Sequence, residues 1–224
     1  MVRFMLLLLG VQGLSALSGR SDCDWKVLDE AASNFVFAGA NSTMPVTSEE
    51  LDEVCKIAEN AIALCESFAK DCTSGLEAAM ITIFLDAAKK DRQERCEWNR
   101  EEYLDVATCL QEEASEGLRF CNARQAGYLQ AVLRKEKKIR VPLACCYQKQ
   151  YELCINRASS ICGRKYMRYT KKVISIMSDE LKDTACRKYT KNPDLCDELP
   201  AVRPVRQPMF STIIPALVKI VGLN

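Results

Sequence analysis

The sequence contains no histidine among its 224 residues, and this absence excludes more chemistry than any other feature of the composition. Serine–histidine and cysteine–histidine nucleophile pairs, histidine-containing zinc sites and histidine proton shuttles all require an imidazole ring. Catalysis by carboxylates alone stays open, but the adjacent acids Glu101–Glu102 and Glu112–Glu113 are typical of solvated helix faces. We therefore expect a protein that is not an enzyme and that needs no cofactor.

Glycine and proline are also scarce, with nine and seven residues respectively. No run of strand length alternates between apolar and polar residues, whereas several segments repeat apolar residues at intervals of three and four. This second pattern is typical of amphipathic helices. The sequence therefore predicts an all-α fold, a bundle of about six helices.

The first 18 residues have the three parts of a secretory signal peptide. Arg3 supplies a positive charge, an apolar run from Phe4 follows, and Ala16–Ser18 has the small-x-small pattern of a cleavage site. The segment is too short to span a membrane and no stop-transfer run follows it. We expect a secreted, extracellular protein, in which Asn41 of the sequence Asn-Ser-Thr is a glycosylation site.

The 13 cysteines all follow the predicted signal peptide. Such density in an exported chain predicts a disulfide framework, and the odd number leaves one thiol unpaired within the chain. Cys23, isolated near the mature N-terminus, is our candidate for the odd cysteine. It either forms a bridge to a second chain, giving a disulfide-linked dimer, or ties the N-terminal arm to the body. The disulfide candidates are Cys55, Cys65, Cys72, Cys96, Cys109, Cys121, Cys145, Cys146, Cys154, Cys162, Cys186 and Cys196.

The clearest helix begins at the sequence Thr47-Ser-Glu-Glu50, which has the spacing of a capping box. Its apolar stripe includes Cys55, Cys65 and Cys72, so we expect disulfides inside the core. Five further helices are predicted, each ended by a glycine, a proline or a cysteine-containing corner. Their approximate ranges are 76–95, 99–117, 125–140, 144–161 and 164–181.

The chain divides into a signal peptide at residues 1–18, a single disulfide-rich helical domain at 19–200 and a C-terminal segment at 201–224. The last segment combines prolines with an apolar tail. Three roles are open for this tail: docking on the body, lying on a membrane surface, or serving as a lipid-anchor signal that is removed.

The charge is distributed unevenly along the chain. Residues 19–117 contain nine basic and 22 acidic side chains, whereas residues 118–224 contain 21 basic and eight acidic ones. Either the two halves pack with their charges facing each other, or the protein has a basic side for an anionic glycan or membrane surface. An exported protein has no evident reason to bind nucleic acid. The candidates for an anionic-partner face are Arg134, Lys135, Lys137, Lys138, Arg140, Arg164, Lys165, Arg168, Lys171 and Lys172.

The cysteine spacing resembles that of a known group of secreted proteins. The steps from Cys146 through Cys154 and Cys162 to Cys186 are similar to those in the 27-kDa haemolymph glycoproteins of insects and in related cysteine-rich helical proteins of arthropods and nematodes. The Cys96–Cys121 segment fits the same layout. This resemblance implies a helical fold and an extracellular location, and it implies no mechanism.

Two functions follow as hypotheses. The first is a non-enzymatic extracellular binding or carrier protein for a lipid or another hydrophobic small molecule, in a cavity lined by Met80, Phe84, Met167, Ile174 and Met177. The second is a secreted effector that acts on membranes through its basic helices and apolar tail.

Overall fold

The computed structural model describes residues 23–39 and 43–222, and within these ranges it contains helices and no strand. The six helices of ten or more residues form the disulfide-stapled all-α bundle that the sequence predicts. The helices are α1 (Trp25–Ala32), α2 (Ser48–Cys72), α3 (Gly75–Gln93), α4 (Arg100–Cys109), α5 (Ser115–Val132), α6 (Lys137–Ser159), α7 (Arg164–Asp183), α8 (Arg187–Lys191) and α9 (Ile214–Val221). One π-helical turn (Glu94–Trp98) precedes α4 and another (Leu110–Ala114) joins α4 to α5.

The capping box predicted for α2 is confirmed. The Thr47 hydroxyl accepts a hydrogen bond from the Glu50 N–H at 3.2 Å, and the Glu50 carboxylate accepts one from the Thr47 N–H at 3.2 Å. The same carboxylate also accepts one from the Val46 N–H at 2.8 Å. The side chains of Thr47 and Glu50 therefore satisfy three backbone N–H groups at the start of the helix.

The predicted end of a helix at Gly117 is wrong. Gly117 lies inside α5, where a Cβ atom would come within 3.0 Å of the Ala158 Cβ on α6. The glycine therefore permits close packing of two helices and does not end one. The helix continues past Cys121, so the separate helix predicted to start at Gln125 belongs to α5.

The predicted break at Pro142 is also wrong, because α6 begins five residues earlier and runs through it. Proline lacks a backbone N–H, so Pro142 cannot donate the usual helical hydrogen bond to the carbonyl of Lys138. Lys138 is exposed and water can hydrate that carbonyl. The chain breaks instead between α5 and α6, where Glu136 leaves helical geometry with ψ 137°.

Six disulfides connect the helices, with Cα–Cα distances between 5.3 and 6.1 Å. These distances lie in the usual range for a disulfide. The adjacent Cys145 and Cys146 bind different partners, and both bridges fix the chain that follows α7 to the first half of α6. Because Cys186 lies just after α7, its bridge shows that α6 and α7 are antiparallel. The pairs are Cys23–Cys72, Cys55–Cys96, Cys109–Cys162, Cys121–Cys154, Cys145–Cys186 and Cys146–Cys196.

The unpaired cysteine is Cys65, so the choice of Cys23 as the odd cysteine is wrong, as is the inclusion of Cys65 among the disulfide candidates. Cys23 bonds to Cys72 at the end of α2 and ties the N-terminal arm to the body. Cys65 is 1% exposed within the packing of α1, α2, α3 and α9. Its burial prevents a bridge to a second chain, so neither cysteine supports a disulfide-linked dimer.

The core has three hydrophobic clusters, and α9 joins two of them. Ile214 and Val218 pack with α1, α2 and α3, whereas Ala216 and Ile220 pack with α5 and α6. The third cluster lies among α2, α4, α5, α6 and α7 around Tyr103. Of the three roles considered for the apolar tail, docking on the body is the one seen.

Residues 201–213, which we call the strap, hold α9 in place. The Tyr147 hydroxyl donates to the Val202 carbonyl at 3.2 Å and accepts from its N–H at 2.9 Å. The Val205 N–H donates to the Gly127 carbonyl at 3.1 Å. The strap therefore packs on the bundle as an ordered part of the domain, and the domain extends beyond the predicted limit at residue 200.

Within the described ranges, none of the helices combines the length and the apolar character needed to cross a bilayer. The predicted signal peptide and Asn41 lie outside the described residues.

Candidate functional site

An apolar pocket lies beneath the end of the strap, where α3, α5, α6 and α7 meet it. Its volume is about 60 Å³. A water molecule occupies roughly 10–15 Å³ of such volume, so the pocket as it stands has room for a few atoms, and a longer ligand requires it to widen. The described residues that line it are Val36, Phe37, Gly39, Phe84, Asn122, Gln148, Tyr151, Val173, Ile174, Met177, Ser178, Leu181, Ser211, Thr212, Ile213, Ile214 and Leu217.

Helix α7 supplies the apolar wall of the pocket. Val173, Ile174, Met177 and Leu181 recur at intervals of one, three and four residues, so they share one face of the helix. Met177 and Leu181 are only partly buried although the core surrounds them. Met177 is unbranched and flexible, so its side chain can move to widen the crevice.

The loop after α1 forms a second wall, and the side chain of Asn122 on α5 binds it through two hydrogen bonds. The Asn122 amide donates to the carbonyl of Phe37 at 3.0 Å and to that of Ala38 at 2.7 Å. Ala38 has φ +51°, a conformation that is uncommon for a residue other than glycine. The Asn122 oxygen accepts a hydrogen bond from the Tyr151 hydroxyl at 2.7 Å. The hydrogen-bonding groups of Asn122 are therefore used to position the wall.

The strap closes the pocket and is held there by Asp29 of α1. One carboxylate oxygen accepts from the Ser211 N–H at 2.6 Å and from its hydroxyl at 2.9 Å. The other accepts from the Thr212 N–H at 2.8 Å and from its hydroxyl at 2.6 Å. Asp29 is 6% exposed, and these four hydrogen bonds offset the cost of burying its charge.

Gln148 is the polar residue of the pocket whose amide has no partner within the described chain. Asn122, Tyr151, Ser211 and Thr212 make the hydrogen bonds given above, and the Ser178 hydroxyl donates to the Ile174 carbonyl at 2.8 Å. Burial raises the pKa of Tyr151, so its hydroxyl stays protonated and neutral over the physiological range. Gln148 is partly exposed, and its amide keeps an N–H donor and a carbonyl acceptor for water or for a molecule in the pocket.

Three of the five predicted cavity residues line this pocket: Phe84, Ile174 and Met177. Met80 is buried in the core beside it, and Met167 lies elsewhere on α7. Sequence reasoning missed Gln148 and Asn122, because an isolated amide carries no periodic signal. It also missed the contribution of the strap, which depends on contacts with α1 far away in sequence.

The ten basic residues proposed as an anionic-partner face fall into two groups at opposite ends of α6. Residues 134–140 lie at its start, and residues 164–172 follow its end. A helix of 23 residues is about 34 Å long, so the two groups do not form one continuous face. Within the groups, Lys138 pairs with Glu136, Lys165 with Asp105, and Lys172 with both Glu94 and Glu102.

Few ion pairs join the acidic first half of the chain to its basic second half. Among the eleven ion pairs of the described residues, only those of Lys165 and Lys172 join the acidic first half to the basic second half. Most of the opposite charges of the two halves are therefore not paired with each other.

A buried polar cluster near α4 has a structural role. Arg95 and Asp91 form an ion pair at 2.6 Å, with side chains 9% and 2% exposed. The described residues contain no group of three or more cysteines or acids positioned to hold a metal ion. Both side chains are buried, and the pocket that Asp91 lines has a volume of only about 10 Å³. The ion pair therefore belongs to the core.

A larger groove runs between α5 and α6 beside the exposed Phe120 and Leu153, with a volume of about 360 Å³. It is open to solvent along its length, and nothing in the structure indicates what covers it. The pocket beneath the strap is more enclosed and more apolar, so we take it as the candidate site.

Comparison of the chain with family models, with curated proteins and with solved structures finds no match. The resemblance to the haemolymph glycoproteins stays a prediction from cysteine spacing.

Proposed function

We propose that this chain is a secreted, non-enzymatic binding or carrier protein that holds a hydrophobic small molecule in the pocket beneath the strap. The observation that carries this proposal is an apolar pocket, lined from seven segments of the fold, in which one polar side chain has no partner among the described residues. Ligand sites of this kind combine mostly apolar walls with a few polar groups that orient the ligand.

Three features of the chain support the location and the class of function. The N-terminal 18 residues have the pattern of a signal peptide, and twelve cysteines form disulfides. Disulfides of this density persist in oxidising compartments. The lack of histidine supports binding rather than catalysis.

The membrane effector is the weaker alternative because of where the tail lies. Ile214, Ala216, Val218 and Ile220 are each at most 5% exposed. Insertion into a bilayer would first require α9 to leave the core and expose this area. The carrier hypothesis needs only a local widening of the pocket.

The test is to incubate the oxidised, purified protein with a lipid extract, remove unbound lipid by gel filtration and record a native mass spectrum. We expect a one-to-one complex with an apolar molecule. A Met177→Trp variant should lose this complex because the indole fills the pocket, whereas Met167→Trp on the same helix should keep it. A folded protein that emerges without ligand, or equal binding by both variants, would refute the proposal. Circular dichroism and thermal unfolding check that each variant is folded.

A further inference from the structure

We propose that the pocket selects a neutral amphiphile, such as a long-chain alcohol, and rejects the matching carboxylate. This inference rests on the proposed binding function and specifies the class of ligand. Its basis is the chemistry of the lining: none of the described residues that line the pocket carries a charge. Sites that hold a buried anion need a cationic or multiple-donor partner.

Two charged groups that flank the lining residues disfavour an anion. Asp29 lies directly behind Ser211 and Thr212 and is buried with its negative charge. Lys182, the residue after the lining residue Leu181, binds Asp179 at 2.7 Å and Glu152 at 3.2 Å. Its positive charge is already balanced by two carboxylates. The cations Lys149 and Lys182, which each follow a lining residue, lie outside the lining. A fatty-acid anion inside the pocket would therefore have the negative charge of Asp29 behind the wall and no cation among the lining residues.

The donors that line the pocket are also used within the protein. The hydroxyls of Ser211 and Thr212 donate to Asp29, that of Tyr151 donates to Asn122, and that of Ser178 donates to a backbone carbonyl. Gln148 remains. Its amide can donate one hydrogen bond to a ligand oxygen and accept one from a hydroxyl, which satisfies the donor of an alcohol and one of its two acceptor positions.

A carboxylate needs more than this single amide. It has four lone-pair positions and a full charge, and burying it without a cation either costs several kcal/mol or forces it to take up a proton. A hydroxyl has one donor and two acceptor positions, so Gln148 can satisfy its donor and one acceptor. We expect an affinity difference of more than about tenfold in favour of the alcohol.

The experiment compares 1-decanol with decanoate at neutral pH, by equilibrium dialysis against the oxidised protein. The expected result is saturable binding of 1-decanol and binding of decanoate at least about tenfold weaker. Decanoate that binds as tightly as 1-decanol would overturn the inference while leaving the binding function intact. If neither compound binds to folded protein and no lipid co-purifies, the proposed function itself fails.

Variants at position 148 test whether Gln148 is the residue that recognises the polar end of the ligand. Gln148→Leu should weaken 1-decanol binding about fivefold, because the hydroxyl loses a hydrogen bond. Gln148→Lys should reverse the preference toward decanoate by adding a cation. Gln150→Lys, an exposed residue of the same helix outside this pocket, is the control and should leave the preference unchanged. Equal effects of the two lysine variants would contradict recognition at Gln148.

Discussion

The carboxylate of Asp29 accepts hydrogen bonds from both the N–H and the hydroxyl of Thr212, a residue 183 positions later in the chain. Together with the two from Ser211, these bonds fasten the strap to α1 and close the pocket. The start and the end of the described chain are thereby joined without a covalent bond.

Asp29→Ala should loosen the strap. Four donors lose a buried, charged acceptor, and we expect the free energy of unfolding to fall by about 2–4 kcal/mol. Denaturant unfolding under oxidising conditions measures the loss, and hydrogen exchange at the Ser211 and Thr212 amides localises it. The control is Glu30→Ala, the exposed neighbour on α1, which should change stability by less than about 0.5 kcal/mol. Unchanged exchange at both amides in the Asp29 variant would show that the strap is held by other contacts.

Gly127→Ala should destabilise the protein although alanine is the better helix former. A Cβ atom at this position would lie 2.7 Å from the Val205 carbonyl oxygen, where the strap crosses α5. Because that neighbour is backbone, it has little freedom to move, and we expect a net loss of about 1–3 kcal/mol.

Ala123→Gly, at an exposed position of the same helix, measures the propensity difference alone, about 1 kcal/mol. If Gly127→Ala instead raised the midpoint of thermal unfolding, the close crossing of strap and helix would be incorrect.

The helices themselves were largely predictable, since local patterns determine them. The capping box at Thr47 and the apolar stripes of α2 and α7 are local signals, and the structure confirms them. Gly117 and Pro142 do not end helices, although these residue types commonly do. The first serves close packing against Ala158, and the second only removes the helical partner of the carbonyl of Lys138, a residue that is exposed to water.

The identity of the odd cysteine was not predictable from spacing. Cys55, Cys65 and Cys72 lie on one stripe of α2, and each is compatible with a bridge. What decides between them is the neighbour that each meets after folding. Cys55 faces Cys96, Cys72 meets the N-terminal arm, and Cys65 faces apolar side chains of α1, α3 and α9. The contact between the strap and Asp29 was not predictable for the same reason, because it joins residues that meet only after folding.

Arg95→Met should be strongly destabilising because it leaves the Asp91 carboxylate buried and unpaired. We expect a loss of about 3–5 kcal/mol in the free energy of unfolding. The double variant Asp91→Leu/Arg95→Met should recover most of this loss, since an apolar pair of similar size needs no charge partner.

Denaturant titration of the wild type, both single variants and the double variant gives the coupling energy of the pair. If the loss of stability in the double variant equalled the sum of the losses in the two single variants, the buried ion pair would be contradicted.

Cys65 should make stability fall in alkaline solution. Burial raises the pKa of its thiol from 9.0 to about 12, with a smaller contribution from Glu66. The folded state thus holds the proton more tightly than the unfolded state, and stability is lost as pH rises through this window. Relative to pH 7, the loss should reach about 1.4 kcal/mol at pH 10.

The matched comparison is Cys65→Ala, which lacks the thiol and shares every other titrating group. Thermal unfolding of both proteins at pH 7 and at pH 10 should show the wild type losing more stability. An equal loss in the two proteins would mean that the Cys65 thiol ionises as readily in the folded protein as in the unfolded one.

The most direct test is a disulfide map of the protein purified without any reducing agent. The protein is unfolded in the presence of an alkylating agent, digested, and analysed by mass spectrometry with partial reduction to separate the adjacent Cys145 and Cys146. We predict one alkylated residue, Cys65, and the six bridges given above. Alkylation at Cys23, or bridges of Cys145 to Cys196 and of Cys146 to Cys186, would contradict the fold on which the pocket depends.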